Sequence, residues 1–204
     1  MNEKRKTRLG FWNAKYTGSH TPWDLGEVSE AALKLVESHF PPEGRVLVPG
    51  CGRGYEALWL ERLGYRVTAV DFADEPIRFL REEAGRLGLR PEILQEDIFL
   101  LPTRLNSAFD VILEQTCFCA IDPTLYDEYE RMAHRLLKAG GSLLGVFMEV
   151  EGIEGPPYST PLPLVRAQFP VSRWRFEWSA PLPRSPKRPG PEFLAAFTRL
   201  GLGE

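Results

Sequence analysis

Only three cysteines, Cys51, Cys117 and Cys119, occur in 204 residues. So small and odd a number builds no disulfide framework and points to a reducing, cytoplasmic setting. Cys117-x-Cys119 has no histidine at a recognised zinc-ligand spacing, so no metal site is expected. Cys51 is not centred in a nucleophile elbow, because Pro49 and Arg53 stand where glycines are required. There is no P-loop signature and no internal repeat. No apolar run reaches the length of a membrane span, and the basic start (Lys4, Arg5, Lys6, Arg8) is not followed by an apolar signal segment. That start reads as a solvated leader. A net charge of -3 gives no general attraction to nucleic acid or to an anionic membrane. These absences leave one globular domain over residues 1–204, acting on a small molecule as a monomer or small homo-oligomer.

What the chain does have is concentrated between Arg45 and Asp71, RVLVPGCGRGYEALWLERLGYRVTAVD. An apolar strand, a glycine-rich turn, an amphipathic helix and a second strand make one βαβ unit of a parallel sheet. Gly50, Gly52 and Gly54 carry no β-carbon, so backbone N–H groups can approach a ligand at a helix N-terminus. Asp71, at the tip of the second strand, stands where an acid takes both hydroxyls of a ribose. A dinucleotide fingerprint needs glycine at position 55, and Tyr55 is there instead. The spacing is G-x-G-x-G, the form usual in methyltransferases that use S-adenosylmethionine (SAM).

Residues 9–25 hold Phe11, Trp12, Tyr16 and Trp23 beside Gly18 and Pro22. The segment is too aromatic for a disordered leader and too broken for a long helix. Its aromatics either plug the edge of the core or form a lid over the nucleoside site, where an aromatic face attracts a cation such as a sulfonium. Residues 25–40 predict an amphipathic helix stopped by Pro41-Pro42, with His39 solvated or capping near its end. Asp74 to Leu87 predicts a second helix, and residues 92–96 a third strand. Asp97 beside Ile98 suits an adenine or is a solvated loop acid. Phe109 to Glu114 is a central strand buried on both faces. The loop from Gln115 to Ala120 then borders the site, because ligands of open parallel sheets lie outside the carboxyl ends of strands. A packed helix (Leu125, Tyr129, Met132, Leu136, Leu137) ends at Gly140-Gly141, and Ser142 to Val150 is a fifth strand. In the proline-rich tail, 171–180 alternates as a strand, and 192–200 reads as a last strand or short helix. The connections there are stiff and either wall a pocket or trim the sheet edge.

Phe11-Trp12, Thr21-Pro22-Trp23-Asp24, the VPGCGRG turn, Phe118 to Ile121 and Gly155-Pro156-Pro157-Tyr158 together resemble the thiopurine S-methyltransferase family, most closely its thiol and halide methyltransferase branch. The resemblance implies an α/β, Rossmann-like class I SAM methyltransferase with helices on both faces of a seven-stranded, mostly parallel sheet whose last strand is antiparallel. It makes residues 1–24 an aromatic lid and residues 151–204 the part that completes the sheet and substrate pocket. By position, Trp12, Tyr16, Trp23, Gly50, Asp71, Asp97, Ile98 and Gln115 surround SAM, together with Cys51 and Gly52 of the turn. Tyr16 stands where tryptophan is common in the branch, and Gln115 at a position that varies among relatives. The implied reaction is in-line transfer of the methyl group to a soft nucleophile: a thiol or hydrosulfide, with halide, thiopurine or a metalloid such as tellurite also suited. Glu114, Cys117 and Tyr158 are candidates on the acceptor side, and none is assigned a base role. Two other classes compete: a non-catalytic SAM-binding module, and a nucleotide-dependent oxidoreductase.

Overall fold

The computed structural model describes residues 3–18, 21–39, 41, 43–185 and 187–201. The side chains of residues 3–7 and 37–39 lie outside that description, and with them the readings of His39 and of Lys4 to Lys6. Two helices come first, α1 (Glu3–Thr17) and α2 (Glu30–His39). The βαβ unit follows as β1 (Arg45–Pro49), α3 (Tyr55–Arg62) and β2 (Arg66–Asp71), then α4 (Asp74–Leu87), β3 (Glu92–Gln95) and β4 (Phe109–Gln115). The rest is α5 (Tyr126–Leu136), β5 (Leu137–Met148), α6 (Leu162–Gln168), β6 (Trp174–Pro181) and β7 (Glu192–Arg199). No helix among the described residues is long and apolar enough to cross a membrane.

The seven strands form one sheet in the order β3-β2-β1-β4-β5-β7-β6. Every pairing is parallel except those of β7, which is antiparallel to both β5 and β6. Residues of β4 enter two cores: Phe109 and, past an irregularity in the strand, Ile112 join one with α5 and α6, while Val111 and Leu113 join another with α2, α3 and α4. Helices therefore cover both faces, and the chain reverses its winding direction between β1 and β4. Crevices open at such a reversal, outside the carboxyl ends of the strands.

Three expectations are corrected. The N-terminal segment is helical through Thr17, neither too broken for a long helix nor a mere leader. Its breakers, Gly18 and Pro22, fall after the helix, while Arg8, Trp12 and Tyr16 recur every four residues on one face. Gly140-Gly141 does not end α5: the helix stops at Leu136, and β5 pairs at once, Leu137 with Phe109 and then Ser142 with Val111. The two glycines lie in the irregularity between those pairs, where Gly140 takes φ +75°. The helix α6 was not foreseen in the proline-rich tail. Pro161 and Pro163 sit at its start, where proline's missing N–H is no loss.

One buried carboxylate ties α5 to β6. Glu130, 1% exposed, accepts Trp174 Nε1 at 2.6 Å and the Nε and Nη2 of Arg173 at 2.9 and 2.6 Å. Glu130→Ala leaves the buried indole N–H without a partner, a loss of about 3 kcal/mol. Urea unfolding should show the midpoint falling accordingly, with Glu130→Gln losing less.

Candidate active site

A cavity of about 580 Å³ opens over the carboxyl ends of the strands. Arg8, Trp12 and Tyr16 of α1 form part of its wall, with Trp23 from the following loop. The Trp23 ring meets Trp12 edge-on at 5.3 Å and Tyr16 edge-on at 5.8 Å, an arrangement aromatic quadrupoles favour. Phe11 is 41% exposed; it meets the edge of Trp12, and Lys15 Nζ lies over its ring at 5.4 Å from the centroid. The Asp24 carboxylate accepts from Arg53 Nη1 at 2.7 Å, and Arg53 Nη2 reaches Glu75 at 3.0 Å, which clips this segment to the glycine turn and to α4. From the other side, Arg188 donates Nη1 to the Trp23 carbonyl at 3.0 Å.

The glycine turn is held from beneath. Asp71 accepts Gly52 N–H on Oδ2 and Ala73 N–H on Oδ1, each at 2.9 Å. Burial pushes its carboxyl above the usual aspartate range, and these N–H donors act against that rise. Gly50 has φ +57°, and a β-carbon there would lie 2.6 Å from Cys117 Sγ. At the end of β3, Asp97 accepts Phe99 N–H on Oδ1 at 3.1 Å, while Arg8 Nη2 lies 3.3 Å from Oδ2.

All ten residues singled out for the cofactor line this one cavity, and so does Cys117. Glu114 and Tyr158 are not part of its wall. Glu114 is fully buried behind the loop that follows β4, accepting Phe118 N–H at 2.7 Å and the Tyr129 hydroxyl. Tyr158 donates its backbone N–H to the Cys119 carbonyl at 2.7 Å, which docks the proline-rich segment. Burial raises the Cys117 thiol far above its ordinary range, as it raises Cys51. Neither is an ionised nucleophile at neutral pH.

Thr116 lines the cavity from the loop expected to border the site, whereas Glu56 and Arg188 of the wall went unnoticed in the sequence. Thr116 holds φ +59°, a conformation that is strained for a β-branched side chain, at the tip of β4. Glu56 reads as an ordinary acid in the first turn of α3, and Arg188 as one more cation among prolines. Nothing in their local pattern marks them.

Burial raises the Glu114 carboxyl from an ordinary 4.5 to about 7, against the donors it accepts. Between those values the folded chain holds a proton that the unfolded chain has released, so Glu114 makes stability decline as pH rises from about 4.5 to about 7. Glu114→Gln should flatten that part of the curve, read from urea midpoints across the range.

Comparison with known proteins settles the family. The pattern that defines thiopurine S-methyltransferases matches residues 7–179. The chain belongs to the thiopurine S-methyltransferase family. Within and around it, "Probable thiol methyltransferase 2" of Arabidopsis thaliana is 32% identical over 152 residues, 73% of this chain and 66% of that protein. The chain thus spans just under two thirds of this plant relative. The thiopurine S-methyltransferase of Legionella pneumophila (strain Paris) is 30% identical over 165 residues, 73% of this chain and 75% of that one. The fold has close counterparts among solved structures. That of Burkholderia thailandensis 1,6-didemethyltoxoflavin-N1-methyltransferase, with bound 1,6-didemethyltoxoflavin and S-adenosylhomocysteine, superposes with a TM-score of 0.78 at 22% identity. The superposition covers 96% of this chain and 88% of that one. The family's fold is thus the class I SAM methyltransferase fold, with its seven-stranded, mostly parallel sheet.

Proposed function

We propose that this member of the thiopurine S-methyltransferase family is a SAM-dependent methyltransferase whose acceptor is a small soft nucleophile, a thiol sulfur or hydrosulfide before a halide or thiopurine. The observation that carries the reading is the order of groups along the cavity: Asp97 after β3, Asp71 after β2, the glycine turn after β1 and Gln115 at the end of β4. An elongated nucleoside with an adenine, a ribose diol and a short chain matches that order. The aromatic wall of Trp12, Tyr16 and Trp23 suits a sulfonium, which it can face without a counter-ion. The residues present therefore fit SAM. Bound SAM would supply a methyl group made electrophilic by its sulfonium, and the transfer neutralises charge.

The chain's own part is alignment and exclusion of water. Asp71 would fix the ribose, and the lid residues 1–24 would close over the donor. Beyond Cys117 the cavity wall turns apolar at Ile121, Met148, Ile153, Pro156 and Pro157, from the loop after β4, from β5 and from the 151–204 part. Such a wall favours a poorly hydrated sulfur over an alcohol or amine. Thiols ionise near their own pKa, so no residue need act as base, and Glu114 has its acceptor capacity engaged inside the fold. Free Cys51, Cys117 and Cys119 suit a reducing, cytoplasmic setting. Calorimetric titration with SAM, S-adenosylhomocysteine and NADH tests the donor. Micromolar binding of the first two without NADH is expected; NADH binding with no SAM signal would return the chain to the oxidoreductases.

A further inference from the structure

The strained residue at the tip of β4 sits over a buried charge. Thr116 takes φ +59°, and Cys117 after it returns to φ −75°, ψ −43°. A left-handed residue followed by a right-handed one turns successive N–H groups toward one point, a concavity suited to an anion. Here the anion is part of the chain. Glu114, fully buried, accepts Phe118 N–H on Oε1 at 2.7 Å, and Cys117 N–H faces the same carboxylate. The Tyr129 hydroxyl of α5 donates to Oε2. Three donors gathered on one carboxylate offset the strain of a left-handed, β-branched residue.

The cavity wall beyond Gln115 hangs on these bonds. Gln115 is still paired with Val146 of β5, but residues 116–121 have left the sheet. Cys119 Sγ donates to the Thr116 carbonyl at 3.2 Å, and the Cys119 carbonyl accepts Tyr158 N–H at 2.7 Å, which docks segment 155–158. Phe118 between them stacks on Tyr126 at 4.1 Å in the core. The carboxylate thus sets Cys119 and Ile121 on one side of the acceptor region and, through Tyr158, Pro156 and Pro157 on the other. We propose that Glu114 is a positioning residue for methyl transfer: through the N–H groups of Cys117 and Phe118 it holds the loop after β4, and with it the acceptor wall, in the shape that aligns a nucleophile with the donor. The proposal rests on the methyltransferase reading of the cavity. It gives a role to a carboxylate that lies outside the cavity wall.

The strength of this hold depends on charge. A carboxylate draws N–H donors roughly twice as strongly as a neutral acceptor does. Burial raises Glu114 from 4.5 to about 7, so the loop is held tightly above that pH and less tightly below it. The titratable groups around Glu114 are Tyr126 and Tyr129 of α5 and Cys117 and Cys119 of the loop, while its partner across β5 is Gly145. Burial pushes all four upward, Cys119 to about 12, so none of them changes charge near neutral pH.

The test measures acceptor kcat/KM against pH at saturating SAM. The acceptors are iodide and thiobenzoate, soft nucleophiles that stay ionised throughout, so no acceptor proton enters the profile. For the unmodified chain, kcat/KM should rise as pH passes upward through about 7. Glu114→Gln keeps an oxygen for the two N–H groups and an amide N–H for the Tyr129 oxygen, so the fold has no reason to change. Its profile should be flat, roughly 10-fold below the unmodified chain on the alkaline side and equal to it on the acid side. Tyr129→Phe takes one donor from the carboxylate, which then holds its proton more tightly, and should move the rise to higher pH. A rise that persists in Glu114→Gln, or one that stays in place in Tyr129→Phe, would overturn the proposal. So would an equal loss at every pH in Glu114→Gln, which would leave the residue a purely structural role. A profile that falls with rising pH would also overturn it, since repulsion of the anionic acceptor would then outweigh loop shape. If the unmodified chain transfers methyl to neither acceptor, the soft-nucleophile reading itself has failed and the proposal falls with it.

Discussion

Asp71→Ala is expected to weaken SAM and S-adenosylhomocysteine by roughly 100-fold or more, the largest effect of any single substitution in the site. Two hydrogen bonds from ribose hydroxyls to a carboxylate amount to about 3 kcal/mol or more. The same carboxylate also holds Gly52 N–H and Ala73 N–H, so its removal loosens the turn as well as the ligand. Asn is no substitute. Each carboxylate oxygen faces a backbone N–H, so an amide must turn its NH₂ against one of the two donors whichever way it is placed. Asp71→Asn should therefore bind nearly as poorly as Asp71→Ala, whereas a group needed only for its size would be rescued by it. The carboxyl is held above the usual range by burial. Binding should accordingly start to weaken at a higher pH, as pH is lowered, than an ordinary aspartate would allow. Titration calorimetry of the three proteins across pH reads all of this.

The second large effect is expected at Gly50. Its φ of +57° disfavours any side chain, and the new β-carbon of Gly50→Ala would sit 2.6 Å from Cys117 Sγ and 3.1 Å from Cys117 Cβ. Something must move, and what moves is the loop after β4 that carries Thr116 and Cys117. Gly50→Ala should lose about 1–3 kcal/mol of stability and, through the displaced loop, most of its affinity for SAM. Cys117→Ala removes the atom at 2.6 Å. The double variant should therefore regain part of both losses, a coupling that a double-mutant cycle detects and that independent sites would not show.

How far residue patterns foretell this molecule differs from element to element. The β1–α3–β2 unit and α4 follow directly from hydrophobic period and from Ala84, Leu80 and Ile77 on one face, because each element buries a face of its own. The first helix was missed because its aromatics suggest a broken loop when no partner surface is in view. Once laid over the strand ends, Arg8, Trp12 and Tyr16 form one face toward the cavity. The helix α6 hides between Pro161 and Pro170 because proline is a breaker inside a helix but harmless in its first turn. The site divides in the same way. Asp71, Asp97 and Gln115 were legible because topology puts ligands at strand ends, a rule about position rather than about neighbours. Glu56 and Arg188 were not, since a first-turn acid and one cation among prolines are commonplace, and only their place in the cavity wall singles them out. The left-handed Thr116 has no sequence signal at all.

One assay tests the account most directly: incubation of the purified chain with methyl-labelled SAM and hydrosulfide, small thiols, iodide or a thiopurine, with S-adenosylhomocysteine and the methylated product both quantified. The expected result is equal amounts of the two, greatest for a sulfur acceptor and abolished in Asp71→Ala. Tight binding of SAM with no labelled product from any soft nucleophile would contradict it, and would leave the chain a SAM-binding module without turnover.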